Sequence, residues 1–341
     1  MRYDVTIGIP MYQAEKYLSR SLESALAQTY PSIEFLLVDD GSTDGSLAIV
    51  EDYQINHPRG AAIRLISHDH NLGVSAARNR IIEEASGTYL YFMDSDDVMA
   101  NYTIDLMMRN VREYRAEIVF GSYEKKEISG KRAVYQYPFL QLLEADALAS
   151  YAYRKYAGIQ ASSCNYLVKT SLLREHRHFF IDSCYWEDFV FTFDLVAMIK
   201  RAVLLPDITY YYLCRENSLS HYQQRGQISK TEILQNVRTV EHLKKTSSIL
   251  YNKVYYPNRC FIIAMTDFYI ACNILKRKKE IRPSFSNREI KEIICHPASF
   301  TQICHFKQNR WRNLLLFAIG KLPSSLCVAV IWSLGKLKKL I

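Results

Sequence analysis

Gly87-Thr88-Tyr89-Leu90-Tyr91-Phe92-Met93-Asp94-Ser95-Asp96-Asp97 is an aromatic-rich apolar run that stops at three carboxylates within four positions. Apolar on both alternating faces, it predicts a central strand of a parallel sheet. In open α/β sheets, ligands bind beyond the carboxyl ends of the strands, so acids placed there face a crevice and not the core. If the chain stays extended through Ser95, Asp94 and Asp96 point to the same side, where both reach one hard cation. The same residues are favoured helix N-caps, so Ser95-Asp96-Asp97 also suits the start of the next helix. The two readings are compatible, because one Asp can cap while another binds metal.

Three further strand-then-helix units precede this stretch. Residues 5–10 predict a first strand, broken by Pro10, and residues 15–28 repeat apolar positions at helical spacing. A second buried strand, 35–38, ends in Asp39-Asp40-Gly41-Ser42-Thr43-Asp44-Gly45, which combines a turn with a helix start at 46–53. A third strand, 63–66, is followed by the turn Asn71-Leu72-Gly73 and a helix over 74–85. Four such units imply a Rossmann-like, parallel α/β half. Three strand ends then present polar residues at one edge: Pro10-Met11-Tyr12, Asp39-Asp40 and Asp94-Ser95-Asp96. This convergence favours the metal reading over capping. The chain carries neither G-x-G-x-x-G nor G-x-x-x-x-G-K-[ST], so no glycine-rich loop cradles a phosphate. Asp94 and Asp96 offer the alternative, magnesium or manganese bridging to a diphosphate that bare carboxylates would repel.

Downstream, residues 102–114 predict a helix, 118–121 a fifth strand, and 122–140 a hairpin turning at Ser129-Gly130. Helices are expected near 144–153 and 169–176. Trp186-Glu187-Asp188-Phe189-Val190-Phe191 forms a second acidic cluster. Two acids enclosed by aromatics are costly to bury without partners, and burial raises proton affinity as a general base requires. A first-turn position favoured by the helix dipole is the plainer reading. Residues 202–212 read as a strand pair that closes the domain.

The 341 residues carry a net charge of +8 and 49% hydrophobic content, which suits one large domain plus an appendage. The 25 tyrosines suit grooves and interfaces. The eight cysteines lack any C-x-x-C pair and predict reduced core thiols of a cytosolic protein. Beyond residue 225 the chain predicts helices over 229–250, 258–278, 288–295 and 310–339, rich in Lys and Arg. The last segment is too interrupted for a membrane span but suits a helix lying in an anionic interface, or a cap on the catalytic domain.

Taken together, Pro10-x-Tyr12, Val38-Asp39-Asp40-Gly41-Ser42-x-Asp44, Asn71-x-Gly73-x-x-x-Ala77-Arg78-Asn79 and Asp94-x-Asp96-Asp97 resemble the inverting family 2 glycosyltransferases of GT-A fold. The resemblance covers about residues 4–222. It implies a GT-A catalytic domain over 1–225, with a nucleotide-sugar half at 1–121 and an acceptor half at 122–225, followed by a basic helical extension at 226–341. It implies a metal-dependent hexosyl- or N-acetylhexosaminyltransferase using a nucleotide-diphosphate sugar, commonly a UDP-sugar, for polysaccharide or glycolipid synthesis. By that resemblance Pro10 and Tyr12 sit against the base, Asp40 accepts a hydrogen bond from it, with Asp39 sharing that task or holding the turn, and Arg78 contacts the nucleotide. Asp94, Ser95, Arg215 and Ser218 lie along the donor, and Asp94, Asp96 and His221 hold Mn2+ or Mg2+. Asp188 is the base, with Glu187 as its neighbour near the acceptor. Gln13 stands where Asn is common. The expected partners are a saccharide or lipid-linked acceptor and an anionic membrane surface at the inner face of the cell membrane, not nucleic acid. A nucleotidyltransferase and a non-catalytic sugar-nucleotide binder are the rival readings.

Overall fold

The structure is a computed structural model that describes residues 3–154, 158–183, 185–215 and 227–341. Two compact units are present: residues 1–148 with 161–218, and residues 149–160 with 219–341.

In the first unit, β1 (Val5–Met11), β2 (Ile33–Asp39), β3 (Ile63–Ser67) and β4 (Tyr89–Phe92) pair in parallel in the order β3-β2-β1-β4. The helices α1 (Glu15–Leu26), α2 (Ser46–Asn56) and α3 (Val74–Glu84) alternate with them, as the sequence pattern predicts. β1 and β2 are buried along their whole length, the mark of strands covered on both faces. Then follow β5 (Val98–Met99), α4 (Thr103–Tyr114), β6 (Ile118–Lys126), β7 (Arg132–Tyr135) and β8 (Leu140–Leu142), while most of the next helix, α5 (Ala147–Ala152), is counted with the second unit. β9 (Tyr166–Lys169), α6 (Thr170–Glu175), α7 (Glu187–Leu195) and β10 (Ala202–Leu213) complete the unit. β9 runs antiparallel between β4 and β6, and β10 lies beside β6 in parallel. The result is the expected α/β sheet flanked by helices.

Four local expectations are corrected. Pro10 does not break β1 but pairs with Val38. Its lost donor faces the β4 side, where the ladder has already ended at Met93 N–H donating to Gly8. Residues 202–212 form one strand instead of a pair, because Pro206 is absorbed in a bulge where register shifts between Leu204 and Ile208. The acidic strand stops at Phe92, and residues 94–97 form a turn closed by Asp97 N–H donating to the Asp94 carbonyl at 3.3 Å. That turn leads into β5 and caps no helix; α4 starts at Thr103. Of the described cysteines, Cys164, Cys260, Cys272 and Cys327 are buried, whereas Cys295 and Cys304 are exposed.

One close approach sets the position of α3. A Cβ added at Gly8 would lie 2.3 Å from Ile81 Cγ2, so the absence of a side chain lets α3 settle directly on β1. The helix start is fixed from below as well: Gly73 has φ +94°, a conformation that favours glycine, and its N–H donates to Asp40 Oδ2 at 2.8 Å. Arg78, one turn before Ile81, is thereby held at the carboxyl ends of β1 and β4.

The second unit is built on α9 (Tyr256–Lys276), which follows α8 (Lys230–Ser247) and carries α10 (Asn287–Ile293), α12 (Arg310–Lys321) and α13 (Ser324–Leu337) around it, with α11 (Phe300–Cys304) against α12. The 310–339 helix is split in two, because Leu322 leaves helical geometry before Pro323. A short parallel pair, β11 (Ile228–Ser229) and β12 (Ile281–Arg282), ties the two ends of the α8–α9 segment. Inside, the Arg259 guanidinium is fully buried and donates to Tyr153 Oη at 2.6 Å and Ser247 Oγ at 2.8 Å.

Replacing Gly8 by Ala is expected to lower stability by about 1–3 kcal/mol through overpacking against Ile81, measured by urea unfolding, with little change in the far-ultraviolet circular dichroism.

Candidate active site

Beyond the carboxyl ends of β1, β2 and β4, a single guanidinium gathers the two acidic clusters. Arg78 is 3% exposed. Its Nη2 lies 3.0 Å from Asp94 Oδ1, and its Nη1 lies 3.0 Å from Glu187 Oε1 and 2.9 Å from Asp188 Oδ1. The Phe180 ring backs the guanidinium at 5.3 Å. Burial works against the charge, but Asp188, Asp94 and Glu187 outweigh it and hold Arg78 firmly protonated.

The elements around Arg78 explain why it can do this. Ser75 and Asn79, on the same helix, bind the segment that leads into α7: Ser75 Oγ donates to the Ser183 carbonyl at 3.1 Å, and Asn79 exchanges hydrogen bonds of 2.9 and 2.7 Å with the Phe180 backbone. Phe180 stacks on Phe191 of α7 at 3.9 Å, and Phe92 meets both rings edge-on. The end of β4 and the start of α7 are thus packed to the same helix. Trp186 precedes α7 in a left-handed conformation, φ 63°, an uncommon backbone for a bulky residue that clusters at functional sites. Glu187 and Asp188 follow in the first helical turn. Asp188 also accepts a 2.5 Å hydrogen bond from Ser163 Oγ. Its side chain is 25% exposed against 11% for Glu187, so Asp188 is the more accessible of the two. Burial and the neighbouring Asp188 push Glu187 up to about 7, with Arg78 opposing. Burial also raises Asp188, against the pull of Arg78.

On the other side of the acidic turn, Asp96 pairs with Arg215, whose guanidinium lies over the Tyr17 ring at 5.0 Å. Arg20 and Ser21 of α1 donate to the backbone carbonyls of Asp96 and Asp94 at 2.9 and 3.2 Å. Asp97 is buried and accepts from Tyr210 Oη and Leu213 N–H, both at 2.8 Å. Ser95, half-buried, forms the tip of the turn. Asp94 and Asp96 therefore each meet their own guanidinium, and the shared side expected from an extended strand is replaced by the turn.

Asp39 and Asp40 are both buried. Asp39 accepts from Ser42 N–H at 3.1 Å and so holds the Gly41 turn. Asp40 accepts from Leu72 N–H at 2.9 Å and Gly73 N–H at 2.8 Å, with His68 Nδ1 at 2.7 Å. Pro10 is buried in β1 and Tyr12 is 47% exposed. Ser218 and His221 lie outside the described residues. The structure adds Asn79, Ser163, His68, Tyr210 and Asp97 to the residues singled out by sequence. Asn79 and Asp97 stood within quoted motifs without an assigned task, whereas nothing in the pattern around Ser163 marks it.

Among the described residues, no three His, Cys, Asp or Glu side chains converge as a preformed metal cage. The donor set still fits a hard cation. Among the described residues, Asp94, Glu187 and Asp188 pair with Arg78 and Asp96 with Arg215, while Asp97 has no ion pair, and burial followed by repulsion from Asp94 raises both Asp96 and Asp97. Oxygen ligands with uncompensated negative charge are what Mg2+ or Mn2+ takes.

Comparison with known proteins bears on the family and the fold. The family described as Glycosyl transferase family 2 matches residues 6–183. Uncharacterized glycosyltransferase EpsJ of Bacillus subtilis (strain 168) is 30% identical over 246 residues, 71% of this chain and 67% of that protein. Other curated glycosyltransferases match over a smaller share of their own length, 16% of one and 50% of another. Among solved structures, S. aureus TarS 1-349 in complex with UDP-GlcNAc superimposes with a TM-score of 0.66 at 18% identity, covering 93% of this chain and 90% of that one. Mannosyltransferase PcManGT from Pyrobaculum calidifontis in complex with GDP-Man and Mn2+ gives 0.56 at 16% identity, over 97% and 87%.

Because Glu187 binds its proton more tightly in the folded chain than in the unfolded one, its own contribution to stability is fully present at acid pH and is lost as pH rises through about 7. Arg78→Met removes the guanidinium that, among the described residues, pairs with both Glu187 and Asp188, and should cost about 3 kcal/mol or more. The loss should be larger at pH 8 than at pH 5, where the orphaned carboxylates can protonate; urea unfolding at the two pH values measures it.

Proposed function

The chain belongs to glycosyl transferase family 2, and from that membership we propose that it moves a sugar from a nucleotide-diphosphate donor to an acceptor hydroxyl with inversion, in the synthesis of a polysaccharide or glycolipid. The observation that carries this reading is the Arg78 clamp: the donor-side carboxylate of Asp94 and the base-side carboxylates of Glu187 and Asp188 share one guanidinium. A donor-binding acid and a proton acceptor within one such span are what direct displacement at an anomeric carbon needs. A UDP-sugar is the donor we favour, supported by the UDP-GlcNAc held by the TarS structure.

In this proposal Asp188 takes the proton from the acceptor hydroxyl. Its environment suits the task, since burial raises its proton affinity and its side chain keeps partial exposure. Ser163 and Arg78 fix its orientation, and Glu187 lines the acceptor side. The proton moves from the acceptor oxygen to Asp188 as that oxygen attacks the anomeric carbon, and the bond to the diphosphate oxygen breaks. Arg215 reaches the leaving diphosphate, a role suited to a planar guanidinium. Asp96, with Asp94, would hold Mn2+ or Mg2+, which supplies charge neutralisation to the diphosphate when bound. His221 remains a third candidate ligand and Ser218 a donor contact. Tyr12 and Pro10 form the base platform, and Asp40 with Asp39 fixes the loops behind it. The expected attachment to an anionic membrane surface falls to the second unit, in which no described helix is long and apolar enough to cross a bilayer.

Asp188→Asn is expected to keep donor binding, followed calorimetrically with Mn2+, while sugar transfer falls about a hundred- to ten-thousand-fold. Asp96→Asn should instead weaken metal-dependent donor binding. A screen of nucleotide sugars read by mass and by nucleotide release tests the class: pyrophosphate release would identify a nucleotidyltransferase, and release of neither would identify a binder. Transfer at the normal rate by Asp188→Asn would overturn the base assignment.

A further inference from the structure

The last two helices present their apolar residues outward. On α12, Trp311, Leu315 and Ala318 recur at four- and three-residue spacing and are all exposed, Trp311 at 73%, while Asn313, Leu316 and Ile319 are buried. On α13, Leu326, Ala329 and Trp332 are exposed, Trp332 at 44%, while Cys327 and Ile331 are buried. Each helix therefore packs one apolar stripe inward and leaves a second in solvent, which a helix needing only to complete a core would not do. Exposed aromatics on adjacent helices mark an interaction surface.

Charge says which surface. From Ile293 to Ile341 the chain has seven Lys and Arg and no Asp or Glu. Cations stand beside the two exposed tryptophans, Arg310 over Trp311 at 5.1 Å and Lys336 over Trp332 at 3.9 Å, and Lys321 lies over the half-buried Phe317 at 5.1 Å. Lys336, Lys338 and Lys339 follow Trp332 within two turns. A second copy of the chain docking through this face would bring like charges together without a counter-ion. An anionic lipid headgroup layer meets both features at once, with tryptophans at headgroup depth and lysine stems lying along the apolar boundary.

We infer that α12 and α13 form a monotopic docking face for an anionic bilayer. Trp311, Leu315, Leu326 and Trp332 enter the interface, and the basic side chains around them engage lipid phosphates. The inference rests on the second unit alone and does not depend on the transfer reaction.

The test is co-sedimentation of the full chain with vesicles of phosphatidylcholine alone or mixed with phosphatidylglycerol. Binding to the mixed vesicles only, weakened by added salt, is the expected result. Lys336→Gln combined with Lys338→Gln and Lys339→Gln should lower partition about a hundred-fold, at about five-fold per lysine, whereas the corresponding Arg substitutions should retain it. Trp311→Ser with Trp332→Ser should lower it as well, with nucleotide release toward a soluble acceptor and the unfolding midpoint unchanged. Equal sedimentation with both vesicle types, or partition indifferent to these variants, overturns the proposal. So does a self-association, seen by sedimentation equilibrium, that the same substitutions abolish while vesicle binding is absent.

Discussion

A buried guanidinium shared by three carboxylates is the contact on which the rest of this site depends. Asp94 comes from the end of a central strand, Glu187 and Asp188 from the start of α7, and none of them could be buried as an anion at modest cost without Arg78. Breaking one partner of such a cluster is far more damaging than never having built it, because the remaining charges keep their desolvation penalty. The clamp is therefore a constraint on every element that touches it: β1 must carry a glycine where α3 crosses, and α3 must hold the segment before α7 through Ser75 and Asn79. The imbalance that remains among the described residues, five carboxylates against two guanidinium partners, is the ground on which a cation is proposed there.

Much of the parallel half was legible because its signals are local. Buried strands such as 35–38 read as continuous apolar runs, and Asp39-Asp40 and Asp94-Ser95-Asp96 follow such runs directly. The errors fell where local grammar met tertiary context. Proline is barred from a ladder only if its missing donor is needed, and the partner of Pro10 on the β4 side has already ended. Pro206 survives in a strand by sitting at a bulge. Alternation within Asp94-Ser95-Asp96 assumed an extended chain, whereas side chains from α1 and β10 hold a turn there.

What was not legible is contact across long separations. Arg78 and Glu187 are 109 positions apart, and no periodicity in either segment announces the other. β9 is a four-residue antiparallel strand inserted between two others, too short and too poorly bounded by turn residues to declare itself. The second unit shows the converse case: its helices were visible, but which apolar residues face inward depends on how α12 and α13 lie on α9.

Asp40 carries a consequence of its own. One carboxylate receives the backbone of Leu72 and Gly73 and the ring of His68, so the tip of β2, the exit of β3 and the entry of α3 are joined at a single point. That floor is assembled by the chain's own hydrogen bonds. If the proposed nucleotide sits above it, no affinity is spent on freezing three loose loops there.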